Sequence, residues 1–73
     1  MSTYRKRRLD VKQENYEKAL TVLDYYERRG DIDDCTCEFI TVDGAKIARF
    51  WFACICGDED FEMVKNDLRE IVL

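Results

Sequence analysis

The chain has no histidine and no proline, only three glycines and a single tryptophan among 73 residues. Without histidine, acid–base chemistry near neutral pH would need a perturbed carboxylate, lysine or cysteine. The lack of proline, and of any low-complexity stretch, leaves no linker and no internal repeat. No apolar run approaches the ~20 residues of a membrane-spanning helix. The N-terminus has no apolar segment of the kind a secretory leader needs. The reading is therefore a cytoplasmic protein with no membrane association, in which free thiols are the default. A nucleotide-binding loop, a Ser/His/Asp set, a zinc-protease motif and a redox C-x-x-C are all missing, so an enzyme is not expected.

Nearly half the residues are apolar (47%), enough for a globular domain rather than a disordered chain. A chain this short buries only ~60% of its unfolded surface, so a metal, disulfides or a partner chain would help it. The net charge of −4 is unevenly spread. Residues 1–8 carry Arg5, Lys6, Arg7 and Arg8 and no acid, while the remaining 65 residues hold eight cations against sixteen acids. Residues 1–9 thus read as a basic N-terminal arm, or as a short edge strand from about Tyr4 to Leu9. Residues 10–73 form a single domain.

The clearest local signal is Asp43-Gly44 between two β-branched and aromatic runs, which predicts a hairpin with a two-residue turn. Val42 then faces Ala45, and Glu38 falls opposite Arg49, a pairing worth roughly 0.2–1 kcal/mol. With a period of two, one face collects Cys35, Cys37, Phe39, Phe50, Phe52, Cys54 and Cys56, the expected core face. The other face is mixed. It carries Ile40, Ile47, Arg49, Trp51 and Ile55, a possible dimer or partner face, since Trp and Arg are enriched in binding hot spots.

A first helix is expected from near Asp10 to Arg29, with Asp10 and Gln13 as a weak capping box. Tyr16, Ala19, Leu20, Leu23 and Tyr26 form its apolar stripe. Gly30 suits its end. A second helix should run from about Glu59 to Val72, capped by Asp58, and bury Phe61, Val64, Leu68 and Ile71. The order helix–strand–strand–helix gives a small two-layer α+β sandwich built on the antiparallel hairpin. A lone hairpin is weak, so a third strand from residues 3–9 or a second chain joined edge to edge is expected.

Three constellations could carry function. Cys35-x-Cys37 and Cys54-x-Cys56 invite a zinc reading, but sulfurs at i and i+2 on a strand lie about 7 Å apart. Free cysteines in the core are favoured over zinc or a disulfide. No metal ligand and no cofactor is assigned. The second constellation is acidic. Asp31, Asp33 and Asp34 enter the first hairpin strand, and Asp58, Glu59, Asp60 and Glu62 follow the second, so the hairpin brings seven carboxylates to one end. A calcium-loop pattern is absent. The acidic end is expected to bind a basic protein partner, with a nucleic-acid-handling complex as the candidate class. The third is the Trp51–Arg49 face, where direct nucleic-acid binding is opposed by the acidic body.

The reading is a small acidic protein-interaction module, an inhibitor that occupies a basic surface by presenting carboxylates where phosphates would lie. In size, acidity and lack of catalytic motifs the chain resembles the small inhibitors that phages encode, including anti-CRISPR proteins and DNA mimics. The resemblance is one of profile and transfers no residues. The alternatives are a small dimeric nucleic-acid-binding regulator using the basic arm, and a zinc-stabilised structural module. A homodimer fits any of the three.

Overall fold

The computed structural model describes residues 6–73. Strand β1 (Lys6–Lys12) leads through a 3-10 turn (Gln13–Asn15) into helix α1 (Tyr16–Arg29). Strands β2 (Ile32–Val42) and β3 (Ala45–Cys54) form the hairpin, and helix α2 (Asp58–Asp67) follows. The three strands make one antiparallel sheet in the order β1-β3-β2. Both helices lie on one face of it, so the fold is the expected small α+β type. No helix among the described residues is long and apolar enough to cross a membrane.

The hairpin register is as expected: Val42 faces Ala45 and Glu38 faces Arg49. Asp43 (φ 51°) and Gly44 (φ 81°) both take positive φ, as a type I′ turn demands. The partner of Arg49 differs, however. Its guanidinium grips Asp10 of β1 with two hydrogen bonds of 3.0 and 3.1 Å, and Glu38 instead accepts the Trp51 indole N–H at 3.4 Å. Asp10 lies directly opposite Arg49 in the β1–β3 ladder, a partner that exists only because residues 6–12 form a strand and not the start of a helix.

That is the main correction to the sequence reading. The helix starts at Tyr16 rather than near Asp10, and residues 6–12 form the third strand. Arg7, Leu9 and Val11 face Phe52, Phe50 and Ala48 across the ladder, and Leu9 and Val11 are buried. Of the expected edge strand 3–9, the part before Lys6, including Tyr4 and Arg5, lies outside the described residues. Helix α2 is also shorter than expected. After Asp67 the chain turns so that Val72 bridges to Val11 and the Leu73 N–H donates to Asp10 O at 2.9 Å. These contacts cover part of the β1 edge.

The core lies between the helices and the cysteine–phenylalanine face. Phe50, Phe52, Leu23, Ile32, Val11 and Val64 are its largest fully buried side chains. Ala19, Leu23 and Tyr26 bury the α1 stripe, and Val64 and Leu68 that of the second helix. Leu20 remains 39% exposed, and Phe39, expected in the core, is 55% exposed. Phe39 only leans on Tyr16, ring centroids 5.1 Å apart, because the hairpin outruns the helix that covers it. Helix α1 ends on Gly30 (φ 83°), whose N–H donates to Glu27 O at 3.0 Å. A left-handed residue there costs glycine little.

One irregularity shapes the end of the sheet opposite the hairpin turn. The ladder slips between Asp33 and Thr36, so Asp34 and Cys35 together oppose Phe52. Asp34 adopts φ 55°. This β-bulge reverses the alternation below it. Strict alternation would put Ile32 on the open face; the bulge returns it to the core beside Cys54, and both are buried.

Candidate functional site: the acidic end

Both connectors of the hairpin meet at one end, tied together by the Ile55 N–H donating to Asp31 O at 3.0 Å. This closure places Asp31, Asp33 and Asp34 beside the start of α2. The first turn of that helix holds Asp58, Glu59 and Asp60. Carboxylates there are favoured by the partial positive charge of the helix N-terminus. Glu62 shares the side of Asp58 by i,i+4 spacing.

The seven carboxylates separate into two groups. Asp60 is buried, 4% exposed, and accepts the Cys56 N–H at 2.7 Å. Its side chain reaches back over the helix start, a bond of the capping-box kind. The expected cap, Asp58, makes no such bond: Gly57 occupies the cap position. Asp31 is half-buried and lies 3.2 Å from the Arg29 guanidinium. That contact is Coulombic, without hydrogen-bond geometry at the buried Asp31 Oδ2. Asp33, Asp34, Asp58, Glu59 and Glu62 are exposed.

Lys6 and Arg7 sit among them, which the sequence reading missed. Because β1 runs antiparallel to β3, Lys6 lies opposite Ala53. Its ammonium is 3.0 Å from Asp34. Arg7 pairs with Asp58 and lies 5.2 Å from the centroid of the Phe61 ring. Lys65 stands 3.5 Å from Glu62. The available signal was the alternation Arg7-Leu9-Val11, which is strand-like but carries only two apolar residues. The acidic end is therefore partly neutralised by exposed pairs, each worth at most ~1 kcal/mol. Asp33 holds its own neighbour, accepting the Asp34 N–H at 2.8 Å, and this local bond leaves one of its oxygens outward.

The four cysteines are free thiols: Cys35 and Cys37 half-buried, Cys54 buried and Cys56 exposed. Cys56 escapes the expected core face because β3 ends at Cys54. Burial pushes the Cys35 thiol up from 9.0 to about 11. Burial likewise raises Cys37 and Cys54, whereas at Cys56 the Asp60 carboxylate is the larger cause. Thiols held protonated are poor nucleophiles. Among the described residues no group of three or more cysteine or acidic side chains converges on a cation position.

The open face of the sheet carries Trp51, Arg49 and Ile40 half-buried, with Ile47 buried. No helix covers it. Arg8 of β1 lies opposite Trp51 and Lys12 opposite Ile47, so the face has a cationic margin on the β1 side.

Compared with protein-family models, with curated proteins and with solved structures, the chain matches none.

Proposed function

We propose that the protein is a binding module whose acidic end covers a basic surface of a partner protein and thereby blocks it. The observation that carries this reading is the convergence of five exposed carboxylates, Asp33, Asp34, Asp58, Glu59 and Glu62, on one closed end of the hairpin. They are mounted on a strand terminus and a helix start rather than on a mobile loop. Such a surface is pre-organised, and binding loses less entropy when the contact groups are already placed. The weak pairs to Lys6, Arg7 and Lys65 can be exchanged for a partner's guanidinium groups at little cost. Asp31 and Asp60 serve as braces in this scheme. A groove that normally holds nucleic acid has the matching chemistry, because carboxylates spaced along an edge satisfy the same lysine and arginine donors as phosphates.

The second reading is a nucleic-acid-binding regulator. The cationic margin around Trp51 favours it, since an aromatic side chain beside arginines can stack bases. It ranks lower because Arg49 is held by Asp10 in a half-buried pair and the chain carries a net charge of −4 that phosphates would have to approach.

The test is a side-by-side capture from host lysate with wild-type protein and the triple variant Asp33→Lys/Asp58→Lys/Glu59→Lys, after nuclease treatment. The expected result is a basic protein retained by the wild type and lost with the variant, while the circular dichroism of the two is the same. Retention by both proteins, or recovery of nucleic acid alone, would overturn the reading.

A further inference from the structure

The two edges of the sheet are unlike each other. The β1 edge is lined with Lys6, Arg7, Arg8 and Lys12 and is bridged by Val72 and Leu73. Charge and cover of this kind are how sheets prevent further strand pairing. Among the described residues the β2 edge is uncovered, and it carries little charge. From Cys35 to Val42 it carries one charge, Glu38, and Phe39 is more than half exposed beside it.

The register fixes which backbone groups point outward. In a hairpin closed by a two-residue turn, Val42 and Ala45 form a hydrogen-bonded pair, and such pairs alternate with open ones. Ile40, Glu38 and Thr36 therefore bond to β3, and the N–H and C=O groups of Cys37, Phe39 and Thr41 face away from it. The same alternation carried across the sheet makes Asp10 face outward from β1, where its carbonyl accepts the Leu73 N–H.

We propose that β2 pairs antiparallel with β2 of a second copy about a two-fold axis at Phe39, joining two sheets into one of six strands. A two-fold axis normal to the sheet requires opposing residues to share a face, so only pairings centred on a residue are allowed. Centring on Phe39 pairs Cys37 with Thr41 of the other copy, and all three outward residues find backbone partners. Centring on Glu38 would instead set the two Glu38 carboxylates face to face, a like-charge contact that destabilises. Centring on Ile40 keeps the carboxylates apart but sets Cys37 against the turn residue Asp43, so charge and backbone pairing together select the Phe39 register. A strand with little charge and many β-branched residues is what this edge accepts, and its own segment Thr36–Val42, with Glu38 as its single charge and Thr36, Ile40, Thr41 and Val42 β-branched, is such a strand. In the dimer the two acidic ends point apart, with the Asp34 positions roughly 33 Å from each other by the strand rise. The inference does not depend on what the acidic end binds.

Sedimentation of the wild type over a range of concentrations, with amide exchange read by NMR, tests it. The expected species has twice the 8.7 kDa mass of one chain. Its Cys37, Phe39 and Thr41 amides should be protected along with those bonded to β3. Phe39→Lys sets two ammonium groups across the axis and should raise the dimer dissociation constant roughly tenfold or more. Because Phe39 touches Tyr16, Thr41→Lys, at an exposed position, provides an independent variant with the same expected effect. A wild type that stays monomeric at every concentration would overturn the proposal. So would variants that dimerise unchanged, or a dimer in which those three amides exchange freely.

Discussion

Asp58 and Asp60 stand two residues apart in one helical turn and have opposite fates. The Asp58 side chain is 84% exposed, whereas Asp60 is buried and holds the Cys56 N–H. Asp60→Ala leaves that donor unpaired and should cost about 1–3 kcal/mol in urea unfolding. Asp58→Ala removes only an exposed ion pair and should cost less than about 1 kcal/mol. Tyr26 is a second internal anchor. Its hydroxyl donates to Asp67, and burial, then that hydrogen bond, push its phenol up from 10.0 to about 12. Its ionised form is disfavoured by folding, as is that of Cys35. The stability each group contributes is fully present below its unfolded pKa and is lost as pH rises through the folded value. Stability should accordingly fall from about pH 9, most steeply between about pH 10 and 11 where the two windows overlap, and go on falling to about pH 12 through Tyr26 alone. Tyr26→Phe should flatten the upper part of that decline and lower neutral-pH stability by about 1 kcal/mol. Chemical denaturation across this pH range reads both effects.

At the scale of elements, β2 depends on one residue in an unusual conformation. Asp34 holds φ 55°, and its bulge returns Ile32 to the core. Aspartate tolerates the left-handed region better than branched residues do. Asp34→Val should therefore cost roughly 1–2 kcal/mol or remove the bulge, and Asp34→Gly should keep the fold; thermal melts compare the two. Legibility followed the strength of the local pattern. Asp43-Gly44 announced its turn, and the Glu38–Arg49 opposition announced its register, because both depend on adjacent backbone geometry. The bulge left no comparable mark, since Asp33-Asp34 looks like any polar connector. Residues 6–12 were hard to read because four of seven are basic, and only Leu9 and Val11 are apolar. Asp10 with Gln13 imitates a helix cap. It was the partner strand β3, distant in sequence, that drew this stretch into the sheet.

For the molecule as a whole, the convergence of the connectors was legible from the hairpin alone, and the charge balance at that end was not. No lysine or arginine lies between residues 30 and 45 or between 50 and 64, so nothing local pairs the seven carboxylates. The antiparallel course of β1 brings Lys6 and Arg7 back among them, a consequence of topology that no local window contains. Exposed pairs such as these weaken as salt rises, and so does attraction to a basic partner. Binding should then be strongly salt-dependent in rate of association. The described chain extends 40 × 24 × 17 Å, with the acidic end and the hairpin turn at opposite ends of β2. The turn is thus free for a neutral tag that leaves the acidic end accessible.

The most direct measurement is a competition between this protein and duplex DNA for the basic partner recovered from the nuclease-treated lysate. Fluorescent DNA bound to that partner would be titrated with the wild-type protein and followed by anisotropy. The account predicts full displacement of the DNA by the wild type and none by Asp33→Lys/Asp58→Lys/Glu59→Lys. A ternary complex, in which the DNA stays bound while this protein joins it, would contradict the claim that the acidic end occupies the nucleic-acid surface.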